Sequence, residues 1–158
     1  MIQFKKHSGI YTLEAETTLP ISLKEAWDFF SSPKNLQVIT PPHMGFQITS
    51  GLAEKAFSGQ IITYNVAVLP GIRTNWVTEI THVDDEKFFI DEQRFGPYSM
   101  WHHEHHFKKA ENGVDMLDRV SFKIPLGFLG DIAYSLFIKK QLQGIFEYRE
   151  TKLKELYG

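Results

Sequence analysis

The run Met100–Lys109 concentrates side chains that could do chemistry, because it holds four histidines and a glutamate. Its residues alternate with period two, which predicts a β-strand rather than a helix. One face of this strand carries Trp101, His103, His105 and Phe107, and the other carries His102, Glu104, His106 and Lys108. An imidazole gains or loses a proton near neutral pH, so the two histidines on the more apolar face are candidates for acid–base chemistry, ligand orientation or metal binding.

Turn signals on either side of this strand decide which side chains lie beside the two histidines. Gly96-Pro97 ends the preceding extended run, and Asn112-Gly113, a strong hairpin signal, begins the following one. With the second turn at Glu111-Asn112, one mostly apolar face of the three strands is expected to point into the core. That face reads Phe89, Asp91, Gln93, Trp101, His103, His105, Phe107, Met116, Asp118, Val120 and Phe122, with Asp91 opposite His103 and Asp118 opposite His105.

The two predicted carboxylate–imidazole pairs have three interpretations, which the sequence leaves open. An aspartate that accepts a hydrogen bond from one ring nitrogen raises the basicity of the other, so His105 with Asp118 could form a catalytic general base. Alternatively, the pairs could orient the polar group of a bound ligand. In the third interpretation they are buried partners that satisfy each other and fix the strand register.

A metal site is a further alternative for these side chains. His103-x-His105 puts two imidazoles on one strand face, but zinc normally needs a third protein ligand, and the sequence does not identify one. The carboxylates are better explained as hydrogen-bond partners of the imidazoles. We therefore expect no metal and no cofactor.

Composition narrows the function classes. The 158 residues carry a net charge of −2 and no cysteine, so we expect no nucleic-acid partner, no disulfide and no thiol nucleophile. Aromatic residues make up 14% of the chain, which favours a wide interior or a ligand cavity. No apolar run reaches membrane-spanning length. We expect one cytoplasmic domain over residues 1–158, without membrane insertion, and leave open a homodimer.

The order of elements predicts an α+β fold. A capping box of Ser22 and Glu25 precedes a short helix at Leu23–Ser31, and a long helix is expected at Ile132–Leu156 after an N-cap at Asp131. The apolar residues of the long helix recur at three- and four-residue spacing, and Arg149 lies on the same stripe. Strands are expected at Ile10–Leu19, Phe46–Leu52, Gly59–Leu69, Ile72–Val83 and in the three runs after Asp85, with a turn at Pro70-Gly71. A seven-stranded curved antiparallel sheet wrapped around the long helix would enclose a cavity.

The chain resembles the helix-grip superfamily of START, polyketide-cyclase and Bet v 1-like domains (SRPBCC), and within it a bacterial branch of small ligand-binding proteins. The motifs that carry this resemblance are Trp27-x-Phe29, Pro33-x-Asn35-Leu36 with Thr40-Pro41, Asp91-x-Gln93-x-x-Gly96-Pro97, Trp101-x-His103-x-His105-x-Phe107 and Asp118. They cover nearly the whole chain and are specific for the fold. They are weak for a reaction, because the superfamily includes carriers, receptors, cyclases and oxygenase subunits.

The leading hypothesis is a carrier or sensor for a small hydrophobic molecule, such as a lipid, that has one polar end. The expected ligand-binding residues are Trp76, Asp91, Gln93, Trp101, His103, Phe107 and Phe122. Two alternatives belong to other classes. One is a cofactor-free cyclase or dehydratase that uses His105 and Asp118, and the other is a protein-interaction module whose cavity is filled by side chains.

Overall fold

A computed structural model describes residues 1–50, 53–69 and 71–158, and it contains one antiparallel sheet of eight strands. The strands are β1 (Ile2–His7), β2 (Ile10–Leu19), β3 (Gln47–Ser50), β4 (Gln60–Leu69), β5 (Ile72–Asp84), β6 (Phe88–Phe95), β7 (Met100–Ala110) and β8 (Gly113–Lys123). Their order across the sheet is β1-β2-β8-β7-β6-β5-β4-β3. The end of the predicted strand Phe46–Leu52 and Pro70 of the predicted turn lie outside the described residues.

The expected count of seven strands is wrong, because β1 was not predicted. β1 pairs with β2 at the sheet edge, and its outward side chains are polar, with Lys5 bonded to Glu14 at 2.9 Å. The turn between the strands has positive φ at Ser8 (51°) and Gly9 (78°). Two positive φ angles match the twist of a two-residue hairpin, but a Ser-Gly pair announces such a turn less clearly than Asn-Gly does.

The predicted register of β7 and β8 is confirmed, and it fixes the inner face of the sheet. His105 lies opposite Asp118, and Trp101 opposite Phe122. The turn requires glycine at Gly113, where φ is 144° and a Cβ would stand 2.0 Å from the Leu19 carbonyl oxygen. Asp91 lies opposite His103 as predicted.

Helix α1 (Leu23–Phe30) follows β2 and begins at the predicted capping box. The Ser22 hydroxyl accepts from the Glu25 amide at 3.2 Å, and the Glu25 carboxylate accepts from the Ser22 amide at 2.9 Å. Trp27 and Phe30 are buried on the inner side of α1. Two 3₁₀ turns, Pro33–Gln37 and Pro42–Met44, lead from the helix to β3.

The C-terminal helical segment begins earlier than predicted. It comprises α2 (Phe128–Ala133), a π-helical turn (Tyr134–Ile138) and α3 (Lys139–Tyr157). The predicted N-cap at Asp131 is wrong, because this residue lies inside α2. Its carboxylate accepts a hydrogen bond from the Tyr11 hydroxyl at 2.6 Å and lies 2.8 Å from the Lys6 ammonium group, which ties α2 to the edge of the sheet.

Helix α3 packs its buried side against the inner face of the sheet, and this packing sets the position of the site. Its buried residues, Leu142, Phe146, Arg149 and Leu153, follow the three- and four-residue spacing of the predicted stripe. Leu142 and Phe146 share a core cluster with β2 and β8, and Leu153 joins a second cluster around Trp27 and Phe107. None of the described helices is both long and apolar enough to cross a membrane.

Candidate functional site

A cavity of about 220 Å³ lies between the sheet and helix α3. One water needs only about 15 Å³ on the same measure, so this space is far larger than a packing defect. Its walls are mainly aromatic and aliphatic, and they include Phe46, Tyr64, Val66, Trp76, Trp101 and Phe146. Asp91, His103, His105 and Arg149 also line the cavity, so polar groups are present within an otherwise apolar space.

The two cavity histidines point inward, as predicted from the alternation of β7. His103 is 8% exposed and His105 is 7% exposed. His102 and His106 are only partly buried on the opposite face, where they contact Glu92 and Glu104. The strand period therefore decides which histidines can meet a ligand.

The four central side chains form a crossed network instead of the two separate pairs that the register predicts. Asp118 Oδ1 lies 3.1 Å from His103 Nε2 and 2.9 Å from His105 Nδ1. Asp91 Oδ2 lies 2.8 Å from His105 Nε2 and 3.6 Å from His103 Nδ1. Diagonal neighbours on adjacent strands are within reach of long side chains, so each carboxylate contacts both imidazoles.

Hydrogen-bond geometry distinguishes these four contacts. His103 is hydrogen-bonded to Asp118 and His105 to Asp91. The His105 Nδ1 atom is close to Asp118 but poorly aligned with it, and it has no hydrogen-bond partner among the described residues. Asp118 thus hydrogen-bonds the histidine on the diagonal and not the one directly opposite.

Arg149 completes the network from helix α3, and the sequence analysis did not include it among the site residues. It is 8% exposed, and its Nη1 atom lies 3.3 Å from Asp118 Oδ1. Its guanidinium lies 5.2 Å from the centre of the Phe30 ring and 5.8 Å from that of Phe146. The one sequence signal was a charged residue on the apolar stripe of the last helix.

The surroundings shift the pKa values of the two aspartates downward. Burial alone would raise the pKa of Asp118, but the Arg149 guanidinium and the close contacts with the two imidazoles hold it well below its usual range. Burial opposes ionisation of Asp91 too. The hydrogen bond to His105 and the neighbouring charges outweigh that effect, so the pKa of Asp91 is also lowered. Both carboxylates are therefore ionised at neutral pH.

The two imidazoles are shifted in opposite directions. Burial and the like charge of His105 lower the pKa of His103, and its two carboxylate neighbours only partly compensate. Burial also disfavours the charged form of His105, but its contacts with Asp118 and Asp91 dominate and raise its pKa. With His105 protonated, its charge and that of Arg149 balance the two aspartates, and His103 is neutral.

The same residues also meet the basic spacing requirement of a metal site. Asp91, His103 and His105 each offer one donor atom within 4.8 Å of the other two. The structure thus supplies in Asp91 the third donor that the sequence analysis did not identify. The positive charge of nearby Arg149 opposes a bound cation.

Not all of the predicted ligand-binding residues reach the cavity. Trp76, Asp91, Trp101 and His103 line it, whereas Gln93, Phe107 and Phe122 do not. The Gln93 amide donates to the Tyr98 carbonyl at 2.7 Å and accepts from the Tyr98 amide at 3.1 Å, so it fastens the β6–β7 turn.

The other two predicted residues belong to the packed core. Phe107 packs against Trp27 under helix α1, and Phe122 is fully buried beneath Tyr11. Of the two catalytic candidates, His105 lines the cavity and Asp118 does not. Asp118 contacts the two imidazoles.

No family model matches the chain, and no curated protein matches it. Solved structures do. Protein Ms6760 from Mycobacterium smegmatis is 15% identical, with a TM-score of 0.69 over 99% of this chain and 100% of its own. A protein from Arthrobacter aurescens is 12% identical, with a TM-score of 0.71 over 97% of this chain and 91% of its own.

A third solved structure connects the chain to a named fold. Ara h 8.0201, a Bet v 1-like allergen, is 18% identical, with a TM-score of 0.58 over 93% of this chain and 99% of its own. At such identities the likeness shows the fold alone. The chain has a Bet v 1-like fold, in which a curved antiparallel sheet packs against a long C-terminal helix.

Proposed function

We propose that the protein binds one small hydrophobic molecule with a polar end in its internal cavity, as a carrier or a sensor. The observation that carries this proposal is the cavity of about 220 Å³, whose apolar walls include the polar groups Asp91, His103, His105 and Arg149. A largely apolar pocket with a few convergent polar groups is the usual form of a small-molecule site. The open cavity also argues against an interaction module with a filled interior.

A cyclase or dehydratase that uses His105 as its general base is the alternative, and the geometry favours it less. A base needs a ring nitrogen that is free to take a proton from the substrate. Both nitrogens of His105 lie within 2.9 Å of carboxylate oxygens, and its pKa is raised. The two carboxylates therefore favour the protonated imidazole, which cannot accept a proton from a substrate.

Intrinsic fluorescence can test binding, because Trp76 and Trp101 line the cavity. We expect prodan, a neutral naphthalene dye, to bind the protein, to quench tryptophan fluorescence and to shift its own emission to the blue. Val66→Phe should weaken this binding by about tenfold or more, a change of about 1.4 kcal/mol, because Val66 is buried in the cavity wall.

Ile61→Phe is the matched control for the dye experiment, since Ile61 is exposed on the outer face of the same strand. It should bind prodan as the wild type does. Absence of dye binding to the folded wild type, or equal binding by a folded Val66→Phe variant, would contradict the proposal.

Domain organisation, partners and location remain predictions. We propose that residues 1–158 form one domain that works in the cytoplasm without a nucleic-acid partner. A homodimer also remains a prediction. The beginning of the C-terminal helical segment exposes a group of large apolar side chains, Leu126, Phe128, Leu129, Ile132, Leu136 and Phe137, and light scattering would measure the oligomeric state.

A further inference from the structure

Arg149 is a buried cation with unused hydrogen-bonding capacity at the polar end of the cavity. An arginine side chain has five N–H donors and no acceptor. The ion-pair contact with Asp118, at 3.3 Å, engages Nη1 alone. The Nε atom is buried and has no hydrogen-bond partner in the described part of the chain. Because Arg149 is 8% exposed and lines the cavity, bulk water is poorly placed to satisfy these donors.

A second orphan donor lies elsewhere in the cavity wall. The indole Nε1 of Trp76 is buried without a hydrogen-bond partner within residues 1–50, 53–69 and 71–158. An indole nitrogen only donates, so this group, like Arg149 Nε, can be satisfied only by an acceptor. Two unpartnered donors in the wall of one cavity favour a ligand that carries acceptor oxygens.

The geometry points to a hydrophobic carboxylic acid as the ligand, with its ionised carboxylate on the guanidinium of Arg149 and its apolar body among the aromatic walls. This inference rests on the proposed function and specifies the ligand class of the same cavity. Arginine matches a carboxylate with two parallel N–H···O bonds, which a neutral or cationic group cannot reproduce. The guanidinium itself lies over the rings of Phe30 and Phe146.

The charge of the network leaves room for this anion. The network is neutral when His105 is protonated, since Asp91 and Asp118 balance His105 and Arg149. In that state an incoming carboxylate meets the guanidinium of Arg149, whose Nε has no hydrogen-bond partner among the described residues.

The test compares three ligands that share one skeleton and differ in the polar group: 2-naphthoic acid, 2-naphthalenemethanol and 2-naphthalenemethylamine. Each competes with prodan for the intact protein at pH 7, where the acid is ionised and the amine is protonated. We expect the acid to bind at least about tenfold more tightly than the alcohol, and the amine to bind most weakly. Equal or tighter binding by the alcohol or the amine would overturn the inference.

Two variants assign the preference to Arg149. In Arg149→Met the acid should lose its advantage over the alcohol, whereas Arg119→Met, which removes a partly exposed arginine paired with Glu14, should keep it. An advantage that survives in Arg149→Met would contradict the assignment. If Arg149→Met does not fold, Arg149→Lys replaces it. In Arg149→Lys we expect a reduced preference for the acid over the alcohol, and an unchanged preference would count against the inference.

The outcomes separate this inference from the proposed function. If neither prodan nor any of the three naphthalenes binds the folded wild type, the cavity is not a ligand site and the proposed function fails. If they bind without preference for the acid, only the ligand class is wrong. Stoichiometric zinc binding that is lost in His103→Ala and retained in Arg149→Met would also overturn the inference, because a cation would then occupy this end of the cavity.

Discussion

Removal of Asp118 should cost more stability than the loss of one hydrogen bond. Its Oδ1 atom is the counter-ion of Arg149 at 3.3 Å and lies 3.1 Å from His103 Nε2 and 2.9 Å from His105 Nδ1. Asp118→Ala leaves a buried guanidinium without its partner, and the loss of one partner from a buried pair costs about 3–5 kcal/mol. For a domain of this size, that corresponds to a fall in Tm of about 6–20 °C.

Chemical denaturation at pH 7 measures this free energy, and a double-mutant cycle shows its source. Asp118→Ala/Arg149→Met removes both charges, so it should recover about 1–3 kcal/mol relative to the sum of the two single variants. Asp115→Ala is the matched control, because its carboxylate lies on the same strand, is exposed and accepts a hydrogen bond from the Thr18 hydroxyl; it should change stability by less than about 1 kcal/mol. A loss below about 1 kcal/mol for Asp118→Ala, or additive single effects, would refute the reasoning.

Three further predictions concern protonation and the backbone. NMR titration should place the pKa of His105 above the usual histidine value and that of His103 below it; two shifts of the same sign would contradict the network. Protonated His105 therefore stabilises the folded state at low pH, and this contribution to the free energy of unfolding is lost as the pH rises through the folded-state pKa. The lowered pKa of His103 acts in the opposite direction, because protonation of this histidine at low pH decreases the free energy of unfolding. Gly113→Ala should lower the Tm through the clash with the Leu19 carbonyl, and a wild-type Tm would refute the turn geometry. Ser22→Ala should cost about 1 kcal/mol in denaturation, since it removes the helix cap; an unchanged stability would show that the cap contributes nothing.

The sheet register and the orientation of the histidines could be predicted from local signals. The turn signal Asn112-Gly113 places the centre of one hairpin at Glu111-Asn112, and strict alternation then decides the face of every residue on β7 and β8. The inward orientation of His103 and His105 follows from this alternation alone. Strand β1 gave a weaker signal, because an edge strand with three polar outward residues and a Ser-Gly turn shows little apolar alternation.

The side-chain network could not be predicted from strand pairing. Register places Asp118 opposite His105, but rotamers and neighbouring charges decide which nitrogen it bonds, and here that is His103 Nε2. The approach of Arg149 depends on how the last helix docks on the sheet, which is a long-range property. The same docking leaves Phe107 and Phe122 in the packed core and Trp76 on the cavity wall.

Native mass spectrometry of the protein as purified tests the central claim most directly. We expect a wild-type species that carries one small organic molecule, which organic solvent releases for identification, and we expect this species to be depleted in Val66→Phe and retained in Ile61→Phe. The account is contradicted if the wild type carries no molecule as purified and forms no complex after incubation with the prodan and naphthalene probes, or if a folded Val66→Phe variant retains the molecule as well as the wild type does.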